Sequence, residues 1–340
     1  MDYRFSQFKI LKHKLDSKYP IHIQIDLTGA CNQNCTFCFF REGSRTTKKQ
    51  EYIKNIGFLE TDVVIRLIDE LKRLGVKAVT FVGGGEPMIH RDFDKILNRI
   101  VKTRIKFGIV TNLSRLPENK LLLRKASWVR VSVDAATRRT YKIIHNPKDN
   151  FDFKKLKENI RLITGFTDVG VSFIVTTENY KEIYKAAKLF KKLGVNYIQF
   201  KPEYDLFKIK TIAMLSSKIN KQIEKAAKLS DDRFNVINLM HRIKNITQPD
   251  RDFEHCYIHR YNTQIGVDGN VYPCCVLKYI KSCSFGSIYR TSFKNIWNGR
   301  KRRNFISRLK IKKCPACWYD KTNELLNYIF KEGSDHLYFV

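Results

Sequence analysis

The sequence contains no run of apolar residues long enough to span a bilayer, which takes about 20 in succession. The N-terminal residues also lack the apolar stretch that a secretory signal peptide carries. Without such a signal, the nine cysteines indicate a reducing compartment and metal ligation rather than disulfides. These absences predict a cytoplasmic protein with no membrane partner.

Acidic side chains are scarce as well. The chain has 33 Asp and Glu against 64 Lys and Arg, which gives a formal net charge of +31. A charge of this size favours polyanionic partners or substrates, nucleic acid among them. Lysines scattered over solvated helices would give the same total without any binding role. The segment 300–313 carries eight basic side chains and no acid, and it is open to either interpretation.

Strand and helix patterns alternate along the 340 residues, which suffice for one large domain or two ordinary ones. Near-continuous apolar runs are typical of parallel strands covered on both faces. The predicted strands are 21–27, 76–82, 105–111, 128–134, 168–176 and 195–201. The predicted helices are about 60–74, 92–103, 116–126, 153–164 and 180–193. Six strand–helix units predict an α/β fold, either an open sheet or an incomplete barrel, because a full barrel needs eight.

Three cysteines lie close together after the first predicted strand. Cys31, Cys35 and Cys38 have the spacing C-x3-C-x2-C and supply three thiolates, one fewer than a 4Fe–4S cluster needs. A structural zinc site wants four ligands, and no fourth Cys or His lies close by in the sequence. The pattern therefore favours a cluster with one iron left open for chemistry over a zinc knuckle.

A second motif, Gly83-Gly84-Gly85-Glu86-Pro87, follows the second predicted strand. The two motifs in this order, with Phe37 directly before the third cysteine, resemble those of the radical S-adenosylmethionine enzymes. The resemblance implies a partial (β/α)6 TIM-like barrel within residues 1–205 and a 4Fe–4S cluster that binds S-adenosylmethionine. In that family an electron from the cluster cleaves the cofactor to a 5′-deoxyadenosyl radical, which abstracts a hydrogen atom. An electron donor such as flavodoxin or ferredoxin is implied too.

Function in such a barrel lies at the C-terminal ends of the strands, where several polar or glycine residues are predicted. The resemblance implies that the glycines hold the methionyl amine with help from Glu86. It also implies that Ser132 and Asp134 contact the ribose or carboxylate, and that Phe37 lies beside the adenine or the cluster. Each has a structural alternative. The glycines could simply form a tight turn, Ser132 and Asp134 could cap a strand end, and Phe37 could pack in the core. The predicted cofactor-binding residues are Phe37, Gly83, Gly84, Gly85, Glu86, Asn112, Ser132 and Asp134.

A second cysteine group lies in residues 253–340, after a segment, 206–252, that is predicted as a helical linker. A hairpin with Asp268-Gly269 at its turn leads into this group, and a C-terminal helix follows it. The order resembles the auxiliary iron–sulfur domain of radical S-adenosylmethionine enzymes, called SPASM or, in its short form, twitch. No cysteine follows Cys317, which argues for the short form with one second 4Fe–4S cluster. The predicted ligands are Cys256, Cys274, Cys314 and Cys317.

Two features of this second site stay open at the level of sequence. Cys275 is an alternative to Cys274 as a ligand, and four cysteines suit structural zinc as well as iron–sulfur.

The predicted activity is reductive cleavage of S-adenosylmethionine and hydrogen abstraction from an anionic substrate, either nucleic acid or nucleotide-like. The net charge is the basis of that substrate prediction. One alternative is maturation of a peptide, and another is dehydrogenation of a sugar or aminocyclitol, which the rear cysteine spacing suggests. A third is a zinc-dependent nucleic-acid-binding module that is not an enzyme, which leaves residues 83–87 without a role. No catalytic residue is predicted.

Overall fold

The computed structural model describes residues 17–40, 57–149, 151–205, 208–247, 251 and 253–331. Their framework is a ten-stranded sheet in the order β10-β9-β8-β1-β2-β3-β4-β5-β6-β7. The first six strands are β1 (His22–Asp26), β2 (Ala78–Val82), β3 (Lys106–Thr111), β4 (Trp128–Ser132), β5 (Val169–Val175) and β6 (Tyr197–Pro202). All six lie where the sequence predicts strands, and each pairs in parallel with its neighbours. The incomplete α/β barrel is therefore confirmed.

Helices cover the outer face of these strands. They are α1 (Thr61–Arg73), α2 (Phe93–Thr103), α3 (Arg138–His145), α4 (Phe153–Ile163) and α5 (Ile183–Lys192). The helix predicted at about 116–126 is shorter and of the 3-10 type, Lys120–Lys125, capped by Asn119. The sequence pattern also misses α3, whose first turn is capped by the Thr137 hydroxyl.

The segment predicted as a helical linker contributes a strand to the sheet. It contains α6 (Lys208–Met214), α7 (Ser216–Ala227), β7 (Asn235–Asn238) and α8 (Arg242–Thr247). Because β7 pairs in parallel with β6, this part of the chain belongs to the barrel wall and is not a helical linker.

The rear cysteine region continues the same sheet on the opposite edge. It contains α9 (Ile258–Tyr261), β8 (Asn262–Ile265), β9 (Asn270–Tyr272), β10 (Gly286–Ser287), α10 (Phe293–Trp297), α11 (Arg300–Ser307) and α12 (Asp320–Lys331). Strand β8 pairs in parallel with β1, and β8 with β9 forms the predicted hairpin around Gly269. Within the described ranges, none of the helices has the length and apolarity needed to cross a bilayer.

Side chains alternate between two faces along the strands. The outward-facing residues, such as Val129 and Val131 on β4, are fully buried in a core shared with the helices. Those facing the barrel interior, called here the lumen, are more polar and less buried. A Cβ at Gly108 would lie 2.3 Å from the Trp128 ring, so a glycine is needed where this indole fills the lumen.

Candidate active site

The cysteine loop that follows β1 is held against the connection after α3. The amide of Asn34 donates to the carbonyl of His145 at 3.0 Å, and that of Thr36 to Ile144 at 2.9 Å. The amide of Lys148 donates back to Asn32 at 2.9 Å. These backbone bonds fix the loop at the C-terminal edge of the sheet, as the motif order predicts.

The glycine loop after β2 lies directly against the cysteine loop. The amide of Gly85 donates to the carbonyl of Thr28, and that of Glu86 to Ala30, both at 2.9 Å. A Cβ at Gly85 would lie 1.9 Å from the Ala30 carbonyl oxygen. The sequence predicts that this glycine admits a ligand, whereas in the structure the close approach is to the backbone of the cysteine loop.

We expect Gly85→Ala to displace the two loops, since the atom that its methyl group meets is backbone and cannot rotate away. Overpacking of this kind lowers the free energy of unfolding by about 1–3 kcal/mol. Gly165→Ala is the matched control, because a Cβ there meets its nearest neighbour at 3.7 Å. Chemical denaturation of both variants measures the difference, and equal effects would contradict the expectation.

The Glu86 carboxylate links the glycine loop to the end of β3. Its Oε1 accepts from the Thr111 hydroxyl at 2.6 Å and from the Met88 amide at 3.0 Å. Its Oε2 accepts from the Asn112 amide at 2.6 Å. Burial raises the pKa of Glu86 to about 7, and the three hydrogen bonds oppose that rise. Three donors leave this carboxylate about one free acceptor position.

Asn112, predicted to bind the cofactor, lies beside the first cysteine. Its Nδ2 donates to Asn32 Oδ1 at 3.1 Å and lies 3.9 Å from Cys31 Sγ. Its Oδ1 accepts from the Ser114 hydroxyl at 2.6 Å. The strand-end amide is thus oriented toward the cysteine loop by its neighbours.

A histidine that the sequence does not single out lies beside the second cysteine. His145 Nδ1 is 3.3 Å from Cys35 Sγ and 3.0 Å from Gln33 Oε1. The Asp134 amide donates to His145 Nε2 at 3.0 Å. In the tautomer that accepts at Nε2, the Nδ1 proton faces two acceptors, Gln33 Oε1 and the Cys35 sulfur, of which Gln33 is the closer. The contact joins residues 110 positions apart, so no local pattern could have revealed it.

Two other predicted residues of this edge, Asp134 and Phe37, contact protein groups. Asp134 Oδ1 accepts from the Ile174 amide, and its Oδ2 lies 3.2 Å from His145 Nε2. The Asp134 amide approaches the same nitrogen at 3.0 Å. The ring of Phe37 packs edge-on against His145 at 6.2 Å between centroids. Ser132 ends β4 and is half-buried.

The three front thiols are near enough to affect one another's ionisation. Burial raises the pKa of Cys35 well above its usual value, and the neighbouring Cys38, Asp134 and Cys31 raise it further. A thiolate is therefore unfavourable here unless a cation compensates it. Bound iron provides that compensation, so the donor set fits an iron–sulfur cluster.

The rear cysteines converge as predicted. One cavity is lined by Cys256, Cys274, Cys314 and Cys317 together with apolar side chains such as Phe253 and Leu277. Neither Cys275 nor Cys283 lines that cavity, which favours Cys274 over Cys275 as the fourth ligand. Within the described residues, no three Cys, His, Asp or Glu are close enough to hold a single metal ion. A four-iron cluster instead bonds each thiolate to a different iron.

Buried polar groups hold the last two cysteines in place. Arg251 pairs with Asp320 at 2.9 Å and donates to the carbonyls of Cys314 and Pro315 at 2.9 and 2.6 Å. The Tyr319 amide donates to Cys317 Sγ at 3.3 Å. The Tyr319 hydroxyl accepts from Gln24 on β1 at 3.3 Å, which connects the rear site to the barrel.

A buried ion pair makes a second connection between the two sites. Lys278 Nζ lies 2.7 Å from Asp26 Oδ2 and 2.9 Å from Oδ1, and the Tyr279 hydroxyl also donates to Oδ2. Asp26 ends β1 and therefore leads into the cysteine loop. The rear segment thus reaches the base of the front site.

Two family models match the chain. The radical SAM superfamily model covers residues 25–199, just over half of the 340 residues. An iron–sulfur cluster-binding domain of the SPASM type covers residues 256–318. The two matches contain the front and rear cysteines respectively.

Curated relatives match over part of their length. The mycofactocin maturase of Mycolicibacterium smegmatis is 30% identical over 179 residues, 52% of this chain and 43% of that protein. A probable GTP 3′,8-cyclase of Thermococcus kodakarensis is 38% identical over 112 residues, 33% of this chain and 34% of that protein. The chain thus spans about half or less of these relatives.

Solved structures share the fold. SuiB of Streptococcus suis, bound to its precursor peptide SuiA, has a TM-score of 0.64 at 15% identity, covering 88% of this chain and 69% of that one. The structure of anSMEcpe with AdoMet and a Kp18Cys peptide has a TM-score of 0.62 at 18% sequence identity. The match covers 90% of this chain and 88% of that one. Family membership makes the chain an enzyme with a 4Fe–4S cluster, S-adenosylmethionine and auxiliary iron–sulfur, so the non-enzymatic zinc module is wrong. The chain belongs to the radical S-adenosylmethionine superfamily and carries a SPASM-type auxiliary domain.

Proposed function

We propose that this enzyme modifies a peptide. The observation that carries the proposal is the pairing of an open three-cysteine site and a four-cysteine cavity on one continuous sheet. The maturase match and the peptides bound by SuiB and anSMEcpe support a peptide substrate. The anionic substrate predicted from the net charge is compatible with an acidic peptide.

Cys31, Cys35 and Cys38 would hold the cluster that binds S-adenosylmethionine, and Cys256, Cys274, Cys314 and Cys317 would hold the auxiliary cluster. When bound, the cofactors supply a 5′-deoxyadenosyl radical and an electron acceptor, with flavodoxin or ferredoxin as the electron donor. The protein's own part is to position groups around them. Asn112 and His145 are placed to donate to cysteine sulfurs, and Glu86 braces the glycine loop.

A nucleotide substrate is the second candidate. It is favoured by the GTP cyclase match and by the net charge of +31. No further observation bears on the sugar or aminocyclitol alternative, which stays a prediction.

Anaerobic protein tests the proposal in two stages. Two 4Fe–4S clusters would give about eight iron and eight sulfide per chain, and dithionite with S-adenosylmethionine should yield 5′-deoxyadenosine. The substrate class is then read from deuterium transfer, with peptide and nucleotide fractions of deuterated cells supplied separately. Deuterium in 5′-deoxyadenosine from the peptide fraction supports the proposal. Transfer from the nucleotide fraction alone would replace a peptide with a nucleotide.

The His145 contact predicts an effect on the front cluster's potential. Hydrogen bonds to cluster sulfur favour the reduced state, so His145→Leu should lower the midpoint potential. One hydrogen bond is worth about 1 kcal/mol, which corresponds to roughly 40 mV for one electron. His145→Asn retains a donor near the Nδ1 position and should restore most of the shift. Redox titration followed by electron paramagnetic resonance measures both variants, and identical potentials in the two would contradict the contact.

A further inference from the structure

Three basic side chains from separate elements lie near one another, two of them in the lumen. Arg130 on β4 and Lys201 on β6 alternate with fully buried core residues, so both face inward. Arg242 begins α8, which packs against β6. All three are half-buried. We call Arg130, Lys201 and Arg242 the lumen cations.

The lumen cations are close enough to repel one another. Burial, followed by repulsion from Arg130, lowers the pKa of Lys201 to about 7, and Arg242 adds to this effect. Burial and Arg130 also lower the pKa of Arg242. Nearby Asp134 acts in the opposite direction on Lys201; its Oδ1 accepts from the Ile174 amide, and its Oδ2 is buried without a hydrogen-bond partner.

The lumen cations have anionic groups nearby, Asp134 for Lys201 and Cys317 for Arg242, but none of these forms an ion pair with them among the described residues. In the described part of the chain, no carboxylate forms an ion pair with any lumen cation, and Arg130 Nε is buried without a hydrogen-bond partner. Partly desolvated cations without counterions destabilise a fold. The arrangement is therefore one in which a bound anion would relieve an existing repulsion.

The location lies between the two cysteine sites. Lys201 is near enough to Asp134, at the front edge, for the carboxylate to raise its pKa. The guanidinium of Arg242 lies 5.2 Å from the Trp318 ring, and Trp318 follows Cys317 directly in the chain. The guanidinium of Arg130 lies 5.5 Å from the Trp128 ring. An anion held here would be within the barrel, between the predicted clusters.

We propose that Arg130, Lys201 and Arg242 form a subsite that binds a carboxylate of the substrate and thereby positions it in the barrel. The choice of a peptide carboxylate rests on the proposed function. Guanidinium groups beside aromatic rings keep their edges available for bidentate carboxylate binding. Lys201 completes the subsite by taking up a proton when the anion binds. The subsite accounts for an anionic substrate without using the exposed basic segment 300–313.

Competitive labelling of Lys201 tests the subsite in the anaerobic holoenzyme. Trace acetylation near neutral pH modifies unprotonated lysine, and mass spectrometry reports the extent at Lys201 and at exposed Lys188 as an internal reference. The probes are N-acetylglutamate α-amide, N-acetylglutamine with a free α-carboxylate, and N-acetylglutamine amide, which has no carboxylate. Adenosine monophosphate is the fourth probe.

We expect one or both carboxylate probes at millimolar concentration to slow acetylation of Lys201 but not of Lys188. Protection by the first probe alone identifies an acidic side chain, and protection by the second alone identifies a chain terminus. Arg242→Gln and Arg130→Gln should each raise the half-protecting concentration roughly tenfold, the value of one charge-assisted hydrogen bond. Arg233→Gln, at an exposed position, should leave it unchanged.

Three outcomes would overturn the inference: equal protection by the uncharged amide, no protection by any probe, or protection by adenosine monophosphate at a lower concentration than by either carboxylate. The last would assign the lumen cations to a nucleotide phosphate. Wild-type 5′-deoxyadenosine formation is measured in parallel. If no 5′-deoxyadenosine forms, the proposed function is wrong. If it forms but no probe protects Lys201, only the carboxylate subsite is wrong.

Discussion

Replacing Cys314 and Cys317 by alanine is expected to leave 5′-deoxyadenosine formation largely intact while abolishing modification of the substrate. Both residues line the rear cavity, whereas the front cysteine loop is held separately by residues 144–148 and by Gly85. Product formation should fall by more than about 100-fold, since even substitutions around metal ligands cost 10- to 100-fold. Chromatography of 5′-deoxyadenosine and the mass shift of the modified substrate measure the two activities.

Two single variants serve as controls for this experiment. Cys35→Ala should eliminate both activities, because it removes a front ligand. Cys283→Ala should retain both, because Cys283 does not line the rear cavity. Wild-type product formation in the Cys314→Ala/Cys317→Ala variant would show that the rear site does not take part in the reaction.

Lys278→Met is expected to lower the free energy of unfolding by about 3–5 kcal/mol, because it leaves the buried Asp26 carboxylate without its cation. The exposed fraction of the side chain is 6% for Lys278 and 1% for Asp26, so solvent cannot replace the lost partner. Of the donors to this carboxylate in the described residues, the Tyr279 hydroxyl would remain. Chemical denaturation of the anaerobic protein measures the change.

The double variant Asp26→Asn/Lys278→Met is the matched comparison. Removing both charges of a buried pair is often close to neutral, so the double variant should recover most of the loss. A single-variant effect below about 1 kcal/mol, the usual value for an exposed pair, would show that the carboxylate is solvated.

The sequence predicts the barrel well because its strands are near-continuous apolar runs. The front cysteines form a local motif, whereas the rear cysteines, from Cys256 to Cys317, are spread along the chain and are grouped by resemblance. It misses β7, a short strand whose residues Asn235–Asn238 are half-buried or exposed and lack an apolar pattern. His145 is missed for a different reason, since its proximity to Cys35 arises only when α3 packs against the cysteine loop. Two of the lumen cations had a readable signal, because Arg130 and Lys201 are the single charged residues of β4 and β6.

In the glycine loop, the structure gives Gly85 and Glu86 packing and hydrogen-bonding roles that the motif does not reveal. Three consecutive glycines suggest room for a ligand, yet the Cβ position of Gly85 is closed by the Ala30 carbonyl. Glu86 is likewise tied to Thr111 and Asn112 by hydrogen bonds. These contacts arise from the packing of the glycine loop against the cysteine loop and the end of β3, which the sequence alone does not define.

Strand β8 of the auxiliary domain is the parallel neighbour of β1, the strand that leads to the front cysteines. The auxiliary domain therefore shares its sheet with the barrel and cannot be removed without exposing β1. Cutting the chain after α8 would leave β1 as a bare sheet edge, with unpaired amides and carbonyls that invite aggregation. An exchange of auxiliary domains between relatives would have to preserve the register of His22 with Asn262 to keep the barrel soluble.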